Sequence, residues 1–263
     1  MRADWYDHPS WYDILHTPGT AREVTGLQRI ARRYAGAGAM RWLEPACGPG
    51  RYLRVAAGRG VRVAGFDLNP AMVAYARAWF ERRGLRGDVF EADMTRFRTP
   101  RGARYDFAFC PINSVRHLLS DEAMLGHLEA VRRALKPGGV YALGVETTIY
   151  GGTFPAEDVW VGSRGVVTVR QVVNYRPPRR KERVERVFSH LTIETPSRTH
   201  SLESAYDLRS YDRGEYEALL KKAGWEVLGR CNSDGREALL TPDGDVVGGY
   251  ALYVLRPVGG GRR

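Results

Sequence analysis

The sequence predicts an α/β protein with a doubly wound, mostly parallel sheet and a small antiparallel β insertion. From residue 40 to residue 146, apolar strand-like runs alternate with helix-like segments. Such an order needs right-handed crossovers and covers both faces of a sheet. Between residues 147 and 206 the alternation gives way to β-branched segments, and it resumes afterwards. Because ligands of such sheets bind beyond the carboxyl ends of the strands, residues at those ends are the first candidates for chemistry.

The individual elements follow from apolar periodicity and from start and stop signals. Asn69 and Pro70 form a helix start, with the asparagine as cap and the proline in the first turn. The run LKPGG at 135–139 ends a helix and turns the chain into a strand. The predicted helices span 20–34, 51–58, 70–83, 121–135 and 212–223. The predicted strands of the main sheet span 40–44, 61–66, 88–91, 105–110, 139–146, 225–230 and 248–256.

The insertion is predicted to be an antiparallel hairpin. VVTVRQVVNY and ERVERVFSHLTIE are β-branched segments separated by RPPRRK, and a third strand is predicted through residues 200–208. We therefore divide the chain into three parts. Residues 1–146 hold an N-terminal segment and a ligand-binding core, residues 147–206 the inserted β layer, and residues 207–263 the end of the core.

Composition excludes several classes of protein. An apolar content of 43% is that of a globular chain, and no apolar run is long enough to cross a membrane. MRADWYDHPS lacks the layout of a signal peptide. The chain has an odd number of cysteines, and these lie far apart in sequence: Cys47, Cys110 and Cys231. They predict neither a disulfide framework nor a metal site. We expect a cytoplasmic protein without a metal.

The net charge of +10 raises the question of nucleic acid. The chain has 36 arginines and 4 lysines, a ratio that codon bias explains better than phosphate contacts do. Only residues 176–186 form a dense basic patch, which also holds two prolines and two acids. We interpret the patch as a solvated hairpin tip, and a surface that grips RNA phosphates is the alternative.

The N-terminal segment is rich in aromatic residues. The tripeptide WYD occurs at 5–7 and again at 11–13, which brings Trp5, Tyr6, Trp11 and Tyr12 close together. Exposing so much aromatic surface is costly. The segment is therefore expected to pack on the domain, to cover a pocket as a lid, or to do both.

The stretch WLEPACGPGRYL at 42–53 predicts a strand, a tight turn and a helix start. The glycines let the backbone approach a ligand, and the helix offers N–H groups. Asp67 ends the next strand, 17 positions after Gly50, where a carboxylate can accept both hydroxyls of a ribose. A dinucleotide-binding turn needs its third small residue at the position where this chain has the larger Leu53, which argues against a dinucleotide. Asp93, after the third strand, can accept from an adenine amino group.

Four motifs follow one another in residues 40–146: EPACGPG, FDLNPAM, EADM and LKPGG. In this order they resemble class I S-adenosylmethionine-dependent methyltransferases. The resemblance implies a Rossmann-like sheet of seven strands with the last antiparallel, S-adenosyl-L-methionine as cofactor and S-adenosyl-L-homocysteine as product. It also implies the cofactor contacts: Glu44, Ala46, Gly48 and Gly50 around the methionine, Asp67 on the ribose, Leu68 and Met72 around the adenine, and Asp93 with Met94 at the adenine edge. Ala46 replaces the first glycine of the family.

The methyl acceptor is less well defined. After the fourth strand, the sequence Cys110-Pro111-Ile112-Asn113 lacks the Asn/Asp-Pro-Pro-aromatic motif of adenine-N6 enzymes. The order Cys-Pro also differs from the Pro-Cys of cytosine-C5 enzymes. We therefore interpret Cys110 as a strand-end residue beside the cofactor.

The run NSVRHLL at 113–119 resembles the corresponding loop of sugar amino-group N-methyltransferases. This resemblance implies that His117 and Tyr12 lie at the reactive centre. A packed histidine is the competing interpretation of His117, which as an imidazole could accept an ammonium proton. The weaker acceptor candidates are Tyr6, Trp11, Glu146, Arg209 and Tyr211.

The leading hypothesis is a methyltransferase that acts on nitrogen or oxygen of a small metabolite by direct in-line displacement. The alternatives are an RNA methyltransferase using residues 176–186, a catalytically silent cofactor-binding subunit and, more distantly, a nicotinamide oxidoreductase. The leading hypothesis expects a small-molecule partner and neither nucleic acid nor a membrane. The sequence leaves the acceptor and the oligomeric state open, and a homodimer is one option.

Overall fold

The computed structural model describes residues 5–152 and 157–259. Parts of all three predicted segments, and most of the GGGRR tail, therefore lie outside the described residues. Within the described ranges the strands are β1 (Arg41–Pro45), β2 (Arg62–Asp67), β3 (Gly87–Glu91), β4 (Tyr105–Cys110), β5 (Leu135–Glu146), β6 (Glu157–Arg164), β7 (Val167–Arg176), β8 (Val184–Glu194), β9 (Thr199–Arg209), β10 (Trp225–Cys231) and β11 (Tyr250–Pro257). The α-helices are α1 (Pro9–His16), α2 (Thr20–Tyr34), α3 (Arg51–Gly58), α4 (Pro70–Arg82), α5 (Asp121–Ala134) and α6 (Arg213–Lys222).

The strands form two separate sheets. The main sheet has seven strands in the order β10-β11-β5-β4-β1-β2-β3. Its first five strands in sequence pair in parallel, while β11 is antiparallel to both of its neighbours. The second sheet is antiparallel, with the order β6-β7-β8-β9. The predicted fold class is therefore confirmed, including the antiparallel last strand.

Both faces of the main sheet are covered by helices. Neighbouring residues of a strand point to opposite faces, so they pack into different clusters. On β1, Trp42 packs into the cluster formed with α2, α3 and α4, whereas the adjacent Leu43 packs into the cluster formed with α5 and α6. Phe107 and Ala108 divide in the same way on β4. The three cysteines of the chain are free thiols buried in this core.

The predicted bounds of the helices and strands lie within two residues of the observed bounds, with one exception. Two observed elements were not predicted. β5 begins at Leu135, four residues before the predicted strand, because Leu135 already pairs with Tyr105 of β4. Strand β6 was not predicted, since its apolar residues Val159, Trp160 and Val161 are consecutive and exposed and show no alternation. The short helix α1 was not predicted either. The division of the chain at residues 146 and 206 stays our interpretation.

The N-terminal segment joins the two sheets. Trp5, Ile14 and Leu15 are buried against residues of β7 and β8. Asp13, which is fully buried, accepts hydrogen bonds from Arg54 of α3 and, at 2.9 Å, from Arg164 of β6. Burial alone would raise the pKa of Asp13, but the two guanidiniums outweigh it and lower that pKa. Helix α1 is thus fixed to the core and to the second sheet at once.

No helix in the described residues is long and apolar enough to cross a membrane.

Candidate active site

A cavity of about 630 Å³ opens at the carboxyl ends of β1 to β4, and we call it the first cavity. The turns and strand ends that form most of its wall come from residues 46–118, and the N-terminal segment adds Tyr6, Asp7 and Tyr12. Its position agrees with the general rule for ligands of parallel sheets. Of the residues predicted to contact the cofactor, the wall contains Ala46, Gly48, Asp67, Leu68, Met72, Asp93 and Met94.

The turn between β1 and α3 is shaped by left-handed backbone conformations. Gly48 has a φ of 52°, and Ala46, which carries a Cβ atom, has the same value. A non-glycine residue in this region stores strain of a kind that occurs at ligand sites. Gly50 (φ 73°) does not line the first cavity. A Cβ atom there would lie 3.2 Å from the Cβ of Ala76, so Gly50 lets α3 pack closely on α4.

Asp67 at the end of β2 is held by the backbone. Its Oδ2 accepts a hydrogen bond from the N–H of Gly48 at 2.8 Å, and its Oδ1 accepts one from the N–H of Asn69 at 2.9 Å. Burial raises the pKa of Asp67, and these hydrogen bonds oppose the rise. The carboxylate is therefore fixed in the wall of the first cavity with its second lone pairs available to a ligand.

Glu44 lies behind the glycine turn and is only 2% exposed. Its Oε2 has no hydrogen-bond partner among the described residues. Burial raises the pKa of Glu44 well above its ordinary value, and the nearby Arg51 opposes this. A buried carboxylate oxygen without a partner is costly. A ligand that brings a cationic donor, such as the amino group of a methionine moiety, would satisfy it.

The far end of the first cavity combines apolar and acidic residues. Met72 is buried, whereas Leu68 is 68% exposed on the rim, so that an apolar ligand surface could cover it. Asp93 accepts two hydrogen bonds from Thr95, both at 2.8 Å. Hydrogen bonding from the Thr95 backbone lowers the pKa of Asp93, which therefore remains an ionised acceptor.

A second cavity, of about 610 Å³, lies between the N-terminal segment and the four-stranded sheet. Its lining comes from both ends of the chain and from all four strands of that sheet. The two cavities meet at four residues that line both: Tyr6, Tyr12, Ile112 and His117. A group passing from one cavity to the other would pass between these side chains.

His117 and Tyr6 are in contact at this junction. His117 lies on the 3₁₀ turn Ser114–His117 after β4, and its Nε2 is 3.2 Å from the hydroxyl of Tyr6. Its ring is also 5.4 Å from the ring of Tyr206, measured between centroids. Tyr12 stacks on Trp5 at 4.6 Å. Burial raises the pKa of Tyr12 to about 12, so that at neutral pH it is a phenol that can donate a hydrogen bond.

Glu146 also lines the second cavity. Its backbone N–H donates to the side-chain oxygen of Asn113 at 2.7 Å, which ties the end of β5 to the turn after β4. Burial raises the pKa of the Glu146 carboxyl, an effect that the charge of Arg116 opposes and the charge of Glu185 reinforces.

Six predicted site residues line neither cavity: Glu44 and Gly50, described above, and four others. Cys110 is fully buried at the end of β4, and burial raises the pKa of its thiol to about 12. Trp11 stacks on His8 at 4.1 Å. Arg209 pairs with Asp121 at 3.2 Å, and Tyr211 is fully buried beside Tyr216. Packing and ion pairing occupy these side chains.

Sequence reasoning missed most of the second cavity. His16, Asp158, Trp160 and Glu185 line it, but none belongs to a recognisable motif. Burial, with a smaller contribution from the charge of Arg51, lowers the pKa of His16 to about 3, so its imidazole is neutral at physiological pH. The repeated WYD tripeptides were the one available signal, since the second of them lies three residues before His16.

Comparisons with known proteins agree with this geometry. Residues 43–139 match a family model described as a methyltransferase domain. A dTDP-3-amino-3,6-dideoxy-alpha-D-glucopyranose N,N-dimethyltransferase from Streptomyces fradiae is 29% identical over 223 residues, which are 82% of each chain.

Two solved structures share the fold. DesVI from Streptomyces venezuelae superposes with a TM-score of 0.75 at 22% identity, covering 98% of this chain and 100% of its own. CalS10 from Micromonospora echinaspora, an amino pentose methyltransferase solved with S-adenosylmethionine bound, has a TM-score of 0.67 at 24% identity and 97% coverage of both chains. The matched domain with its four motifs and the relative from Streptomyces fradiae identify the activity as that of an S-adenosylmethionine-dependent methyltransferase.

Proposed function

We propose that this enzyme methylates an amino nitrogen of a small, sugar-like metabolite. The observation that carries the proposal is the meeting of two cavities at Tyr6, Tyr12, Ile112 and His117. One cavity is built from the cofactor motifs, and the other has room for a second small molecule. Relatives named as methyltransferases of amino sugars support this acceptor class.

In this proposal the first cavity holds S-adenosyl-L-methionine, whose sulfonium supplies an activated methyl group. Glu44 accepts from the amino group of the methionine moiety, which would satisfy its unpaired Oε2. Asp67 accepts from the ribose hydroxyls, and its backbone hydrogen bonds keep it oriented. Leu68 and Met72 cover the adenine, while Asp93 and the Met94 backbone contact its edge.

At the junction the side chains position the acceptor. Displacement at a methyl carbon requires alignment above all, so proximity supplies much of the rate. Tyr12 donates a hydrogen bond but does not act as a base, because its pKa is raised to about 12. His117 orients the acceptor amine together with Tyr6 and is placed to receive its proton.

The alternative of an RNA substrate loses its main support. Three arginines in the basic patch 176–186 already pair with acids: Arg180 with Asp212 at 2.9 Å, Arg183 with Asp121 at 3.0 Å and Arg186 with Asp207 at 2.8 Å. Paired guanidiniums have less to offer to phosphates. We therefore favour a small molecule over a nucleic acid. Cytoplasmic location and homodimeric assembly stay expectations, which fractionation and light scattering of the full chain would test.

Methyl transfer can be tested directly. The full chain is incubated with methyl-labelled S-adenosyl-L-methionine and a panel of amino sugars, each matched by the analogue that has a hydroxyl in place of the amine. We expect label in the amines only, located on nitrogen by mass spectrometry. Label in the hydroxyl analogues would replace nitrogen by oxygen in the proposal. Cofactor binding without transfer to any acceptor would favour the silent subunit instead.

A further inference from the structure

The charges in the second cavity are unbalanced. Among the described residues that line it are four carboxylates, Glu23, Glu146, Asp158 and Glu185, and two guanidiniums, Arg51 and Arg116. Arg51 pairs with Glu23 at 2.9 Å, and Arg116 forms a buried ion pair with Glu185. Glu146 and Asp158 are left without an ion-pair partner in the described part of the chain.

Both guanidiniums are also bound to other groups of the protein. Arg51 also donates to Thr20 at 2.7 Å and to the hydroxyl of Tyr52. Arg116 also donates to the carbonyl of Arg209 at 2.8 Å. His16 is neutral, since burial lowers its pKa to about 3. A diphosphate entering the cavity would meet two carboxylates without an ion-pair partner and two arginines whose charges are already paired, and like charges brought together oppose binding.

Glu146 and Asp158, by contrast, suit a cation. Asp158 accepts one hydrogen bond, from the hydroxyl of Tyr175 at 3.0 Å, and Glu146 has only a long contact of 3.5 Å with the Asn113 amide. Both carboxylates therefore keep capacity to accept from an ammonium group. The same cavity is lined by aromatic rings, whose faces attract cations: Tyr6, Tyr12, Trp160, Tyr175 and Tyr206.

We propose that the second cavity admits its acceptor as an organic cation without phosphate, such as a glycoside of an amino sugar, held by Glu146 and Asp158. This inference rests on the proposed function, because it names the acceptor of that same site. It separates this chain from the relative from Streptomyces fradiae, whose name gives a dTDP-linked amino sugar as its substrate. The structure thus assigns acceptor specificity to two carboxylates that no motif identifies.

Calorimetry on the full chain loaded with S-adenosyl-L-homocysteine would test the assignment with three probes. They are the methyl glycoside of 3-amino-3,6-dideoxyglucose, its N-acetyl derivative, which carries no charge, and its dTDP-linked form. We expect the glycoside to bind about tenfold or more tightly than either of the others, as for a hydrogen-bonded charge. Glu146→Gln and Asp158→Asn should each weaken the glycoside about tenfold. Glu203→Gln, an exposed glutamate of β9, is the matched control and should change nothing.

Each outcome decides between the two proposals. Tighter binding of the dTDP-linked form, equal binding of the acetylated glycoside, no binding of any probe, or unchanged affinity in folded variants would overturn the cationic acceptor. Binding of the glycoside without methyl transfer to it would overturn the proposed methylation of sugar amines and leave the assignment of the two carboxylates in place. Thermal unfolding of each variant establishes that it is folded.

Discussion

The two cavities are built in different ways. Most of the wall of the first cavity comes from residues 46–118, in which successive strand ends of the main sheet follow one another along the chain. The second cavity draws on residues as far apart as Trp5 and Tyr250, and on all four strands of the second sheet. In our proposal, binding of the cofactor therefore depends on a local region of the chain. The choice of acceptor depends on the arrangement of distant segments.

The largest expected effect is the loss of stability when helix α1, which lies between the main sheet and the second sheet, loses its attachment. Asp13→Asn removes the charge that holds Arg54 and Arg164, and with it the attachment of α1. Breaking a buried ion pair costs about 3 kcal/mol, which we expect as a loss in the free energy of unfolding measured with urea at pH 7. Asp88→Asn, on the exposed side of β3, is the control and should unfold as the unchanged chain does.

The pH dependence of stability in the unchanged chain and in Asp13→Asn tests the same ion pairs. The pKa of Asp13 is lowered below its ordinary 3.8 in the folded chain. The contribution of Asp13 to the free energy of unfolding is therefore complete above pH 3.8. It is lost as the pH falls through the pKa that Asp13 has in the folded chain. The stabilities of the unchanged chain and Asp13→Asn should converge in this acid range. A difference that stays constant down to pH 3 would contradict the role of Asp13 as a charged anchor.

The second prediction concerns the first cavity alone. Asp67→Ala should remove the acceptor for two ribose hydroxyls and cost about 2–4 kcal/mol of cofactor binding, measured by calorimetry. Asp88→Ala should leave that affinity unchanged. Because the second cavity does not include Asp67, binding of an amine acceptor should persist in the variant. Unchanged cofactor affinity would contradict the assignment of Asp67.

The third prediction concerns the junction. If His117 orients the amine, His117→Ala should lower turnover modestly, by about tenfold or less, and mainly raise the apparent KM. A required general base would instead cost about a hundredfold or more in kcat, with partial recovery at high pH as free amine becomes available. We expect the modest result. His190→Ala, at a half-exposed histidine of β8 that pairs with Glu203, should leave both constants unchanged.

The smallest expected effect is a proton released in the second cavity. Burial raises the pKa of Glu146, and a cation bound beside it should lower that pKa again. In the pH range over which Glu146 titrates, uptake of an amine should therefore release a fraction of a proton, seen as a dependence of the binding enthalpy on the buffer. The release should disappear in Glu146→Gln. A release of equal size in that variant would assign the proton to another group.

The sequence predicts the first cavity well because its signals are local. Asn69 caps α4 by accepting from the N–H groups of Ala71 and Met72, as an Asn-Pro pair predicts. The left-handed turn at Gly48 likewise depends on residues near it in sequence. Such features are set by neighbouring residues, so one sequence is enough to place them.

The second cavity escapes prediction because it depends on long-range packing. Trp160 lines it only because β6 pairs with β7, and β6 has no alternation of apolar residues. Arg209 and Tyr211 lie close to the end of β9, but Arg209 pairs with Asp121 and Tyr211 faces the core. Which of two nearby side chains faces a cavity depends on strand register and ion pairing, and neither can be read from residue types.

The burial of all three cysteines has a practical consequence for labelling experiments. The thiolate is the form of cysteine that attacks thiol reagents, and burial raises the pKa of Cys47, Cys110 and Cys231 alike. The native chain should therefore be nearly inert to maleimides. A single cysteine introduced as Leu68→Cys, at a position 68% exposed on the rim of the first cavity, would be the reactive one. Its rate of labelling would then report whether the cavity is filled, without any turnover of substrate.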